Sequence, residues 1–138
     1  MTLAVQQRHP MAPLPLVLGV LRRLEVAALI DRLIPPPPAP GLSCGRGVEA
    51  LVLAMLDGHH ALYTVGKRLA ERGMVALLQP GLTRAALHDD RLGHILEALF
   101  AAHLNQGLRV VARTALAVYA LSTPWLPQDT TTIALSGA

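Results

Sequence analysis

Residues 89–100 read Asp89-Asp90-Arg91-Leu92-Gly93-His94-Ile95-Leu96-Glu97-Ala98-Leu99-Phe100. Leu92, Ile95, Leu96, Leu99 and Phe100 fall at i, i+3, i+4, i+7 and i+8. That is the period of a helix with one buried face; a half-buried strand would alternate every second residue. Asp89 stands where an N-cap belongs, and Asp89 and Asp90 together suit the positive end of the helix dipole. The predicted helix runs from Asp89 to about His103.

The same period recurs on both sides. Toward the N-terminus, Thr83 is placed to cap a short helix, Arg84–Leu87, and Pro80-Gly81 closes a turn of helix at Met74–Leu78. A helix over Ala61–Arg72 stops at Gly73. Another over Gly45–Asp57 has Ser43 as N-cap and Gly58 where a left-handed C-cap belongs. Its expected core face is Val48, Leu51, Val52, Met55 and Leu56. Leu16–Leu24 and Val26–Ile34 make two shorter helices. Val17, Val20, Leu21 and Leu24 form the stripe of the first; Leu29, Ile30, Leu33 and Ile34 form that of the second. Toward the C-terminus a helix opens at Asn105 or Gln106, runs to about Leu121 and is broken by Ser122-Thr123-Pro124. The expected fold is all-α, a multihelical bundle over 16–123, with antiparallel neighbours where connections are short. Residues 1–15 read as a leader. Pro35-Pro36-Pro37-Pro38-Ala39-Pro40-Gly41 reads as a stiff linker, since proline lacks the backbone donor and clashes with the preceding turn.

Composition agrees. The chain has 138 residues, 52% hydrophobic and 15% charged, enough to bury a core and too apolar for a disordered chain. Aromatics are 3%, so Leu, Ala and Val must build that core. The net charge is +3, and eleven of the twelve basic residues are arginine, the side chain best matched to phosphate. Cys44 is the sole cysteine, which excludes an intramolecular disulfide and fits a reducing cytoplasm. No apolar run reaches the roughly 18 residues of a membrane span, and no secretory signal stands at the N-terminus. No membrane partner is therefore expected.

The pattern changes at Leu126-Pro127-Gln128-Asp129-Thr130-Thr131-Thr132-Ile133-Ala134-Leu135. A β-branched run with alternating apolar positions is the signature of a half-buried strand. A strand must pair, and the helices before it offer no partner. Residues 124–138 are therefore expected to open a second unit, of which this sequence holds the start.

Leu87-His88-Asp89-Asp90-Arg91-Leu92-Gly93-His94-Ile95-Leu96 and Gln128-Asp129-Thr130-Thr131-Thr132 together resemble the N-terminal part of the DDE transposases of bacterial insertion sequences, nearest to the insertion-sequence-four-like group. Leu42-Ser43-Cys44-Gly45-Arg46-Gly47-Val48-Glu49-Ala50-Leu51 is also similar to the helical domain that opens those proteins. The resemblance spans about Pro13 to Gly137, with Ser136 where the family tends to carry tyrosine. It implies an RNase H-like catalytic domain whose first strand carries the first of three metal-binding acids. By motif that acid is Asp129. Two Mg²⁺ ions held by such carboxylates clamp the attacking and leaving oxygens of a phosphodiester displacement. One carboxylate cannot do so, so the expectation is a truncated transposase: a DNA-binding or assembly region that is not an enzyme alone and holds no cofactor. The implied partners are insertion-sequence DNA ends, a second copy or an intact transposase, in the bacterial cytoplasm. The alternative is a small stand-alone helical DNA-binding or interaction protein that modulates an intact transposase.

Arg109 and Arg113 lie one helical turn apart, as do Arg68 and Arg72, and either pair could straddle phosphates. Arg84 opens a short helix, where backbone amides and arginine can meet phosphate together. Arg84, Arg109 and Arg113 are the expected nucleic-acid contacts. Lys67 and Glu71, at i and i+4, read as a surface salt bridge. Asp90 and Arg91 read as packing their helix. The six histidines, with one cysteine, lack the ligand spacing of a zinc site.

Overall fold

The computed structural model describes residues 13–35, 41–58, 61–102 and 105–122. Within them the chain is all-α. Seven α-helices and one 3₁₀ turn follow in order: α1 Leu14–Arg23, α2 Val26–Leu33, α3 Cys44–Leu56, α4 Leu62–Glu71, α5 Val75–Leu78, the 3₁₀ turn Arg84–Leu87, α6 Asp89–Ala101 and α7 Asn105–Val118. The expected leader through residue 12, linker residues 36–40, the strand at 126–135 and Asp129 lie outside the described residues. No described helix is long and apolar enough to cross a membrane.

Local chemistry sets the boundaries. Pro15 sits in the first turn of α1, where its missing N–H breaks no hydrogen bond. Arg22 and Arg23 close that helix at its negative end. Glu25, at φ 53°, turns the chain sharply into α2. Ser43 Oγ accepts from the Arg46 amide at 3.2 Å, the N-cap the sequence predicts for α3. At α6 the cap is His88, not Asp89: its Nδ1 accepts from the Arg91 amide at 3.2 Å while Asp89 begins the helix. Thr83 makes no side-chain cap, and Arg84–Leu87 winds as 3₁₀ rather than α.

α3 is the central helix, packed against α1, α2, α4, α5 and α6. Its core side agrees with the expectation in part: Val48 and Leu51 pack against the core, but Glu49, Ala50, Leu53 and Ala54 are the buried residues, and Met55 and Leu56 are each 61% exposed. α3 is apolar almost all round, so hydrophobicity alone could not choose the face; small residues did. A Cβ on Gly45 would collide with the Ala27 carbonyl, so the bare α-carbon lets α2 and α3 touch backbone to backbone. Gly66 does the same for α4 against the carbonyls of Arg84 and Leu87. The stripes of the first two helices hold in part. Along the first, Leu24 is buried and Val17 and Leu21 pack against the core, but Leu14 and Leu18 are buried too and Val20 is exposed; in α2, Ile30 is buried as expected, with Val26 and Ala27 beside it, and Leu33 is exposed.

On α6, Leu92, Ile95 and Leu99 are buried as predicted, but Leu96 is 43% and Phe100 86% exposed. Long-range polar contacts tie the helices together. Arg22 Nη2 donates to the carbonyls of Leu77 and Leu78, the last turn of α5. Arg91 donates to Leu42 O, fastening α6 to the entry of α3. Arg72 pairs with the buried Asp57 at 3.0 Å, joining the ends of α4 and α3.

Candidate nucleic-acid interface

α7 flanks the bundle and rests on α2. Gly107 is buried against Leu33, whose Cδ1 would lie 2.9 Å from an added Cβ. Val111, Ala115 and Val118 continue that side at helical spacing, half-buried against the core. At the far end, the Arg23 guanidinium lies 5.0 Å from the centroid of the Tyr119 ring. The start of α7 thus meets the end of α2, and the residue after α7 meets the residues that precede α2. The two helices run antiparallel.

The opposite side of α7 carries Arg109, Ala112, Arg113 and Leu116, all exposed. Arg109 and Arg113 are one turn apart, about 6 Å along the axis. No Asp or Glu occurs between Glu97 and Asp129, so nothing on this helix offsets their charge.

The other arginines show why this matters. Arg22 is committed to the α5 carbonyls, Arg32 to Glu25 and Ala28 O, and Arg46 to Glu49. Arg68 pairs with Glu71 at 3.5 Å, Arg72 with Asp57, and Arg91 with Leu42 O. Arg23 covers Tyr119. Among the described residues, Arg84, Arg109 and Arg113 are the arginines with no ion pair, hydrogen bond or ring contact. The Arg68 and Arg72 pair is thereby removed as a phosphate clamp, and Lys67 lies 3.9 Å from Glu71, the surface pair the sequence predicts. Arg84 stands apart from the α7 pair, on the 3₁₀ turn that packs against α4 and α6.

Two other clusters have different chemistry. His88, Asp89 and Asp90 bring ligand atoms within 4.8 Å of one another, all exposed. They fit a divalent cation poorly: His88 Nδ1 already accepts the Arg91 amide, and the group sits at the positive end of α6. Cys44 lines a cavity of about 240 Å³ with Ile34, Pro35, Arg91, His94, Ile95 and Ala98. Burial pushes its thiol above the ordinary value; Asp31 adds to the rise and Arg91 opposes it. A protonated, buried thiol is a poor nucleophile.

No local pattern signals the contact of Arg23 with Tyr119, because the pairing depends on how α7 docks against the distant N-terminal helices. Asp129, the acid assigned by resemblance, lies outside the described residues. A family described as "Domain of unknown function (DUF4277)" matches residues 6–113. No curated protein and no solved structure matches the chain.

Proposed function

The chain belongs to the DUF4277 family, and we propose that its helical region holds DNA by the phosphate backbone as the N-terminal part of a DDE transposase. The observation that carries this reading is the pair Arg109 and Arg113, without a partner among the described residues and one turn apart on a helix without acidic residues. Unpaired guanidiniums pay no cost of breaking an internal contact when a phosphate arrives, and each offers a bidentate fork of donors. Contacts of this kind position a protein on DNA without reading its sequence.

The transposase part of the reading rests on the resemblance of residues 87–96 and 128–132. In it, Asp129 is one of three metal-binding acids, and the helical region contributes DNA holding and assembly. Mg²⁺ belongs to that three-acid centre rather than to His88, Asp89 and Asp90. A second copy or an intact transposase remains the proposed protein partner.

The test is DNA binding across a salt series. Phosphate contacts release counterions, so log K falls linearly with log salt at about 0.9 per contact. The variant Arg109→Ala/Arg113→Ala should lower that slope by about two contacts and weaken binding to all sequences alike. An unchanged slope, or no binding by the wild type, overturns the proposal.

A further inference from the structure

We infer that Arg23 is a third phosphate contact of the same surface, braced by Tyr119, and that the surface lies along one strand of duplex DNA. This rests on the α7 reading above. Arg23 ends α1, is exposed, and has no hydrogen bond or ion pair among the described residues. Its contact is the face of Tyr119, at 5.0 Å. Stacking uses the flat face of the guanidinium and leaves the N–H groups at its edge free to donate. The ring therefore orients the cation without consuming its donors. Its neighbour Arg22 is the contrast, since the α5 carbonyls occupy it.

The surroundings favour an anion. The nearest acid in sequence is Glu25, which lies 4.0 Å from Arg32 on α2. α1 contains no acid, and neither does α7. From Arg109 to Tyr119 is ten residues, about 15 Å of helix rise. A DNA strand advances about 3.4 Å per nucleotide, so Arg109, Arg113 and the Arg23–Tyr119 pair span about four base-pair steps. Single-stranded partners are gripped by free aromatic faces on which bases stack. Here Arg23 lies over one face of Tyr119, which favours a duplex held by its phosphates.

The experiment measures binding of the full chain to a short arbitrary duplex and to its single strand over a salt series. Arg23→Ala should lower the slope by about one contact, and Arg23→Lys should keep it. Tyr119→Leu should weaken affinity several-fold with the slope intact, because the charge stays but its brace is lost. Arg32→Ala should leave the slope unchanged. If Arg109→Ala/Arg113→Ala lowers the slope and Arg23→Ala does not, the Arg23 assignment falls and the α7 surface stands. If neither does, the functional reading itself falls. Tighter binding to the single strand overturns the duplex. Circular dichroism of each variant separates lost contact from lost fold, and Arg23→Lys tests the charge should Arg23→Ala fail to fold.

Discussion

The backbone amide of Gly45 donates to Asp31 Oδ1 at 2.7 Å, so the last turn of α2 caps the first turn of α3. Two side chains serve that helix start, since Ser43 takes the Arg46 amide. A carboxylate there also meets the positive end of the α3 dipole. Asp31→Ala should cost about 1 kcal/mol in urea unfolding, and Asp31→Asn less, because asparagine still accepts. Wild-type stability in Asp31→Ala would show that Ser43 alone suffices.

Two helical glycines should respond in opposite directions to the same methyl group. At Gly45 a Cβ meets the backbone carbonyl of Ala27, which cannot swing aside. Gly45→Ala should therefore destabilise by about 1–3 kcal/mol, as overpacking does. At Gly19, within α1, an added Cβ meets nothing within 4 Å. Gly19→Ala should stabilise by about 0.5–1 kcal/mol by stiffening the unfolded chain. Thermal melts of the two variants check this, and a Gly45→Ala melt at or above that of the wild type refutes the α2–α3 seam.

Glu49 is 1% exposed, with Oε2 at 2.7 Å from Arg46 Nη1 and Oε1 without a partner. Removing the arginine strands a buried charge, whereas removing the acid relieves the bundle of one. Arg46 is one-third exposed, so water softens the first effect. Arg46→Ala should cost about 2–3 kcal/mol, and Glu49→Met should be neutral or stabilising. Equal losses in denaturant titration would mean that the carboxylate holds something beyond Arg46.

Much of this architecture is legible in residue order. Every predicted helix is present, and Ser43, Gly58 and Gly73 punctuate the chain where turn chemistry places them. What the sequence hides is which side of an apolar helix faces inward. α3 offers Val48, Leu51, Val52, Met55 and Leu56 on one side; Val48 and Leu51 do pack against the core, yet the residues it buries are Ala50, Leu53, Ala54 and Glu49, and Met55 and Leu56 stay exposed. Close approach at Gly45 outweighs the larger area of Met55 and Leu56, a packing term with no local signature. Of the candidate contacts, Arg109 and Arg113 are visible as a pair in the sequence. Their lack of partners is not, because it emerges only when the other arginines find theirs. His88 displaces Asp89 at the α6 cap for a local reason: its ring nitrogen reaches the Arg91 amide from the position outside the helix.

Both cationic side chains of the α7 face, Arg109 and Arg113, are arginine, and Ala112 and Leu116 complete it. A guanidinium offers no amine for acetylation. Lysine-directed modification therefore leaves this face cationic. A bound polyanion would be released by ionic strength, or by a competing acidic surface that fits the same three points.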